Sequence, residues 1–247
     1  MSRNYFTLVL LIFCSTACQP SATTAAATPT WTYTPPPRQT GTLTSTPFAA
    51  TPTSTLPPAP RTFTEVFNGS LPYWAFLQID NGNPFVGPSV EGGSLLFDLP
   101  ASNQWAYALY AVQDYTDVRL DARIDVQAGN DGAVGLVCRY SETAGWYEFN
   151  IYADQTYSLL FGQWLTQGIA RFTPIFKDSS DKIQKGINEI GLLCQGDILT
   201  PFINGVQMKQ TLVPSYGLKK GTIGISASSF QSIPFTAAFN WVKVSLP

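Results

Sequence analysis

Two short stretches of this chain hold the side chains best suited to chemistry. In VRLDARIDV at 118–126 the residues alternate strictly: Val118, Leu120, Ala122, Ile124 and Val126 fall on one face, Arg119, Asp121, Arg123 and Asp125 on the other. Period two with that contrast marks a half-buried strand. In WYEFNIY at 146–152, Tyr147, Phe149 and Ile151 form the apolar set, which leaves Trp146, Glu148, Asn150 and Tyr152 opposite. With Cys138 taken as interior in GLVCRY (135–140), Arg139 points outward as well. If these strands are neighbours, one sheet surface collects Arg119, Asp121, Arg123, Asp125, Arg139, Trp146, Glu148, Asn150 and Tyr152. Aromatic faces that stack on sugar rings, set among planar hydrogen-bonding groups, are what a carbohydrate site needs. The same residues equally describe a solvated face on which Arg and Asp pair between strands.

Acid catalysis on that face has one candidate arrangement. Hydrolysis of a glycosidic bond wants two carboxylates about 5–10 Å apart. Asp121 and Asp125 are four residues apart on one strand, about 13 Å at 3.3 Å per residue, which is too far. The remaining pairing is Asp121 or Asp125 with Glu148 across strands. The chain has no histidine, which removes the usual general base near neutral pH and the commonest transition-metal ligand. Asp80-Asn81-Gly82-Asn83 and Asn130-Asp131-Gly132 offer oxygen ligands suited to calcium, but turn formation explains both equally well. No cofactor is expected. Trp74, Trp105, Trp164 and Trp241 are assigned to core or rim.

The elements that position these residues are preceded by a different kind of sequence. Arg3 and the apolar run from Phe6 to Cys14 read as the charged and hydrophobic regions of an export signal, too short to span a bilayer. The run ends in Ser15-Thr16-Ala17-Cys18, which resembles a bacterial lipobox, with Ser15 in place of the usual leucine. The resemblance implies cleavage before Cys18 and lipid on its thiol and new amino terminus, giving an exported protein anchored to the bacterial cell membrane; an ordinary signal peptide cut nearby is the alternative. Residues 19–61 contain thirteen threonines, ten prolines and no acid. That composition reads as an extended, disordered stalk. The expected organisation is a signal peptide at 1–17, the lipidated cysteine and linker at 18–61, and one domain at 62–247.

Arg3, Arg38 and Arg61 precede that domain, leaving it 11 basic residues against all 16 acidic ones, a net charge of about −5. This argues against nucleic acid as a partner. Cys138 and Cys194 are the two cysteines the domain keeps. In an exported protein they suggest one disulfide; two buried free thiols in neighbouring strands are the alternative.

From Thr62 onward, short Val-, Ile-, Phe- and Tyr-rich runs alternate with Gly, Asn, Asp and Pro turns. Strands are expected near 63–67, 94–99, 105–112, 118–126, 133–140, 146–152, 156–161, 189–195, 198–203, 206–213, 221–227 and 235–245. Gly-Asn-Asp-Gly (129–132), Gln-Gly-Asp (195–197) and Asn-Gly (204–205) suit hairpins. Only Asp178 to Lys185 has room for a helical turn. A dozen short antiparallel strands mean an all-β sandwich or barrel.

In order, Phe67-Asn68-Gly69 with Trp74, VEGGSLLF (90–97), VRLDARI, GNDGAVGLVCRY (129–140), WYEFNIYAD (146–154), INEIGLLCQGDILTPFING (187–205), GTIGISAS (221–228) and FNWVKV (239–244) resemble the 3-keto-disaccharide hydrolase (DUF1080) family. The resemblance covers essentially all of 62–247. It implies a concanavalin A-like jelly-roll β-sandwich of two antiparallel sheets and a carbohydrate-related role, with Glu148 at the position of the family's strand acid. The Glu-x-Asp-x-x-Glu pattern of glucanases is absent. The reading favoured is a surface-displayed lipoprotein whose domain binds glycan or cell-envelope polysaccharide without catalysis. A hydrolase of this family, or a structural module, is the alternative.

Overall fold

The computed structural model describes residues 56–79, 87–129, 131–166 and 168–247, without the side chain of Ala128. The signal peptide, Cys18 and the stalk to Thr55 lie outside the described residues, as do Asp80–Asn83 and Asn130 of the calcium candidates.

Among the described residues the chain forms strands β1 (Phe63–Glu65), β2 (Trp74–Ile79), β3 (Ser89–Glu91), β4 (Ser94–Leu99), β5 (Gln104–Tyr115), β6 (Val118–Ala128), β7 (Gly132–Ser141) and β8 (Gly145–Tyr152). They continue with β9 (Thr156–Thr166), β10 (Ile169–Ser179), β11 (Ile187–Gln195), β12 (Ile198–Ile203), β13 (Val206–Gln207), β14 (Thr211–Leu212), β15 (Gly221–Ser229) and β16 (Phe235–Ser245). A single 3-10 turn at Pro214–Tyr216 is the helical element among these residues. Asp178 and Ser179 end β10, and the chain then makes one hydrogen-bonded turn at Asp181–Lys182, in which the Ile183 N–H donates to the Ser180 carbonyl at 3.3 Å, without a helix.

One antiparallel sheet runs β13-β12-β11-β6-β16-β4-β3, with β1 beside β16 and β14 beside β12; the other runs β10-β9-β8-β7-β15-β5-β2. This is the two-sheet jelly-roll sandwich that the family resemblance implied, and one of the two architectures, sandwich or barrel, that the strand pattern allowed. Inward-facing side chains of both sheets, among them Leu120, Ile124, Leu136, Phe149, Ile225 and Phe239, form one core with essentially no exposure. Cys138 on β7 is bonded to Cys194 on β11, Cα to Cα 6.8 Å, so the disulfide crosses the core and joins the two sheets. The turn at Asn204-Gly205 has positive φ at both residues, as a type I′ hairpin requires. Gly-Asn-Asp-Gly at 129–132 is not a hairpin: it carries the chain from β6 in one sheet to β7 in the other.

The compact unit begins at Thr55. Residues 56–61, assigned to the stalk on composition, are seated on the domain. Tyr73, Tyr110 and Tyr115 donate to carbonyls of that segment, and Ala59 packs on the core. Composition reported low apolar content correctly but could not show side-chain donors waiting on the domain.

Candidate functional site

The polar residues expected on one surface occupy two. Strand β6 belongs to the nine-stranded sheet, whereas β7 and β8 belong to the seven-stranded one. Side chains that point away from the core therefore point in opposite directions, with two sheets about 10 Å apart between them. No partnership of Asp121 or Asp125 with Glu148 is possible across that thickness. On the β6 face, Arg119 pairs with Asp121 at 2.8 Å and lies over the Phe202 ring at 3.9 Å, and Arg123 pairs with Glu189 at 3.2 Å. Trp241 lies opposite Arg123 in register and is half-buried. This face is a ladder of ion pairs.

Arg139 is not on either surface. A left-handed residue (φ 55°) at a break in register interrupts the alternation of β7 there. The guanidinium is turned inward and fully buried, donating to the carbonyls of Thr116 and Leu218 and standing 3.7 Å from Asp117. The bulge also returns Tyr140 to the outward side, which parity counting missed.

The outward face of the seven-stranded sheet carries Trp146, Glu148, Asn150 and Tyr152, as parity requires, but it is not open to water. Trp146 is 0% exposed and Glu148 1%. Strand β9 pairs with β8 only as far as Gly162, so the ends of β9 and β10 continue as a two-stranded ribbon, free to twist. That ribbon bends over the face. Phe172 on β10 stacks on Trp105 of β5 with centroids 5.3 Å apart, whereas five strand spacings in a flat sheet would separate those strands by about 24 Å. Pro174, tolerated on an edge strand, sits at the register break that sends Phe172 outward and Phe176 toward the core.

Beneath the ribbon, Trp146 is the hub of an aromatic cluster. Tyr140, Trp164, Tyr107 and Phe172 surround it at centroid distances of 5.6, 5.5, 5.8 and 5.8 Å. Its indole needs the backbone of Gly162, where any Cβ would meet the ring at 2.2 Å. The Trp146 Nε1–H and the Tyr107 hydroxyl both donate to Glu148 Oε2 at 3.0 Å, and Ser226 donates to Oε1 at 2.8 Å. Burial first, and the neighbouring Glu148 second, push the Tyr107 hydroxyl well above the ordinary tyrosine range, so it remains a donor. Glu148 is thus a fully engaged acceptor that holds two rings in place, not a carboxylate facing a ligand.

What faces solvent is a groove along the ribbon's edge, made of three adjoining recesses. The widest, 570 Å³, is lined by Ala75, Phe76, Leu77, Asp114, Tyr140 and Lys220 among others. The next, 390 Å³, shares Leu77, Tyr140 and Glu142 with it and adds Trp164 and Thr166. The third, 290 Å³, lies at Ile79, Asn103, Trp105 and Phe172. Burial raises the Tyr140 hydroxyl above its ordinary value, offset by a hydrogen bond with Trp164. Trp105 and Trp164, read as core or rim, are rim residues presented to this groove; Trp74 is core. Tyr152 stands apart at the end of β8, between Phe230 (6.2 Å, stacked) and the Lys177 ammonium (4.9 Å). It lines a separate recess of 300 Å³ with Asp131 and Asp154. Among the described residues no group of three or more potential metal-ligating side chains gathers.

No protein-family model matches the chain, and no curated protein matches it in sequence. Solved structures match it in fold. A protein of unknown function with a galectin-like fold from Bacillus subtilis superposes with TM-score 0.55 at 13% identity, over 74% of this chain and 94% of that one. The carbohydrate-binding module CBM66 from Bacillus subtilis gives 0.51 at 14%, over 68% and 92%. A family 16 glycoside hydrolase, an endo-glucanase from Bacteroides ovatus, gives 0.52 at 11%, over 74% and 99%. At these identities the likeness establishes the jelly-roll architecture; the more specific resemblance to the 3-keto-disaccharide hydrolase family finds no matching family model.

Proposed function

We propose that this domain binds glycan without catalysis, in the groove between β2 and the β9–β10 ribbon. The observation that carries the reading is the groove's lining: half-buried Tyr140, Trp164 and Trp105 beside Glu142, Asn103 and Thr166. Sugar rings present apolar C–H faces and equatorial hydroxyls, which such rings and polar groups complement. That one fold neighbour is a carbohydrate-binding module supports the same reading. The alternative, a glycan hydrolase, is favoured by the endo-glucanase neighbour. It would need two carboxylates flanking the scissile bond, and the buried Glu148 already accepts from three side chains. We further propose that lipid on Cys18 tethers the domain to the outside of the bacterial membrane, with cell-envelope polysaccharide as the class of ligand. Mass spectrometry of the native amino-terminal peptide tests the anchor; an unmodified peptide with another start removes it.

A glycan array on the exported protein tests the binding, with the same panel assayed for products. Trp164→Ala should weaken any hit by more than about 1 kcal/mol. Hits unaffected by Trp164→Ala and Tyr140→Ala would move the site elsewhere, and released sugar products would overturn the non-catalytic reading.

A further inference from the structure

The stretch Pro57-Pro58-Ala59-Pro60-Arg61 at the domain's edge is held in a way its composition does not demand. The Tyr73 hydroxyl donates to the Pro57 carbonyl at 2.7 Å. Tyr110 and the Gln113 amide both donate to the Pro60 carbonyl at 2.8 Å, and Tyr115 donates to the Arg61 carbonyl at 3.0 Å. The Arg61 guanidinium lies over the Tyr115 ring at 5.4 Å. Pro57 and Pro60 are three residues apart, the spacing of one turn of a polyproline II helix, and both carbonyls accept from side chains of the domain. A polyproline helix makes no hydrogen bonds of its own and leaves those carbonyls for outside donors. Prolines also restrict the chain before it docks, which lowers the entropy lost on ordering. Aromatic walls with hydroxyl and amide donors, set against a Pro-x-x-Pro segment, form a recurrent mode of peptide recognition.

We propose that Tyr73, Tyr110, Gln113 and Tyr115 form a proline-rich-peptide groove, occupied in cis by residues 57–61, so that the folded domain includes this segment and does not begin at Thr62. The inference is independent of glycan binding. Burial pushes the Tyr110 hydroxyl up to about 12, so this donor keeps its proton across the physiological range.

The test is backbone relaxation by NMR on the mature exported chain, read at the non-proline amides of Ala59 and Arg61. In the unaltered protein both should show order parameters near those of strands, about 0.85. Combining Tyr73→Phe, Tyr110→Phe and Gln113→Ala removes every side-chain donor to the Pro57 and Pro60 carbonyls while keeping the rings. In that variant the Ala59 value should fall below about 0.6 while Phe63–Glu65 of β1 stay rigid. An Ala59 amide already below that value in the unaltered chain overturns the proposal, whether or not the variant folds. So does a folded variant in which Ala59 stays as rigid as before.

Discussion

The two outward faces of the sandwich start from the same pattern and end as opposites. On β6, Arg119, Asp121, Arg123 and Asp125 alternate with core residues and stay at the surface, where Arg119 pairs with Asp121 and Arg123 with Glu189. On β8, Trp146, Glu148 and Asn150 alternate with core residues just as regularly, yet are buried. The difference is the β9–β10 ribbon, which covers one face and among the described residues has no counterpart on the other. A carboxylate on the bare face is solvated and costs little; one under the ribbon must be met by donors, and Glu148 is met by three. Alternation therefore tells which side chains leave the core, and says nothing of whether they reach water.

The largest effect that would sharpen this contrast is on Trp146. Trp146→Ala removes the centre of the aromatic cluster and should destabilise the fold by about 3–5 kcal/mol in denaturant titration, as a core truncation does. A loss below about 1 kcal/mol would mean that the ribbon does not cover this face in solution. The disulfide ties the backs of both faces together and closes a 56-residue span. Replacing both cysteines by alanine should cost on the order of 4 kcal/mol by the loop-entropy argument; recovery of both as free thiols in non-reducing peptide maps of exported protein would remove it.

Smaller effects follow. Glu148→Gln keeps one acceptor oxygen but sets an amide NH2 against the donor or donors at the other, Ser226 on one side or Tyr107 and Trp146 on the other, and should cost about 1–3 kcal/mol, with Trp146 fluorescence reporting the loosened ring; an unchanged melting curve would mean the carboxylate is not engaged. Tyr107 and Tyr110 hold their protons more tightly folded than unfolded. Their contribution is complete below about pH 10, the ordinary tyrosine value, and is lost as pH rises toward the folded value, about 12 for Tyr110. The denaturation midpoint should therefore fall across that interval, and a midpoint flat to pH 12 contradicts it. Least affected is the bare face: Arg119→Ala should change stability by no more than about 1 kcal/mol, the worth of an exposed pair. A larger loss would show that its stacking on Phe202 matters more than the pairing.

Much of this architecture was legible from residue types. Strict alternation at 118–126 and 146–152 identified β6 and β8 and the inward set of each, and the Asn204-Gly205 turn was readable because only certain residues adopt positive φ. Two of the strands that build the groove, β2 and β10, were not. The segment 74–79 mixes Trp, Phe and Leu with no clean period, since β2 has side chains half-buried on both sides. The segment 169–179 changes face at Pro174, so its alternation breaks midway. Arg139 was misplaced for the same reason: one left-handed residue shifts the parity of everything beyond it.

By itself the sequence determined the all-β class, the negative domain without histidine, and which side chains of each regular strand point inward. These depend on local period and composition, which the chain carries along its length. Only the tertiary structure decided that β6 and β8 lie in different sheets, that the ribbon roofs one face, and that residues 57–61 are clamped. Each of these depends on contacts between residues tens of positions apart, where sheet assignment, bulges and the bending of a free ribbon set the outcome and no local pattern records it.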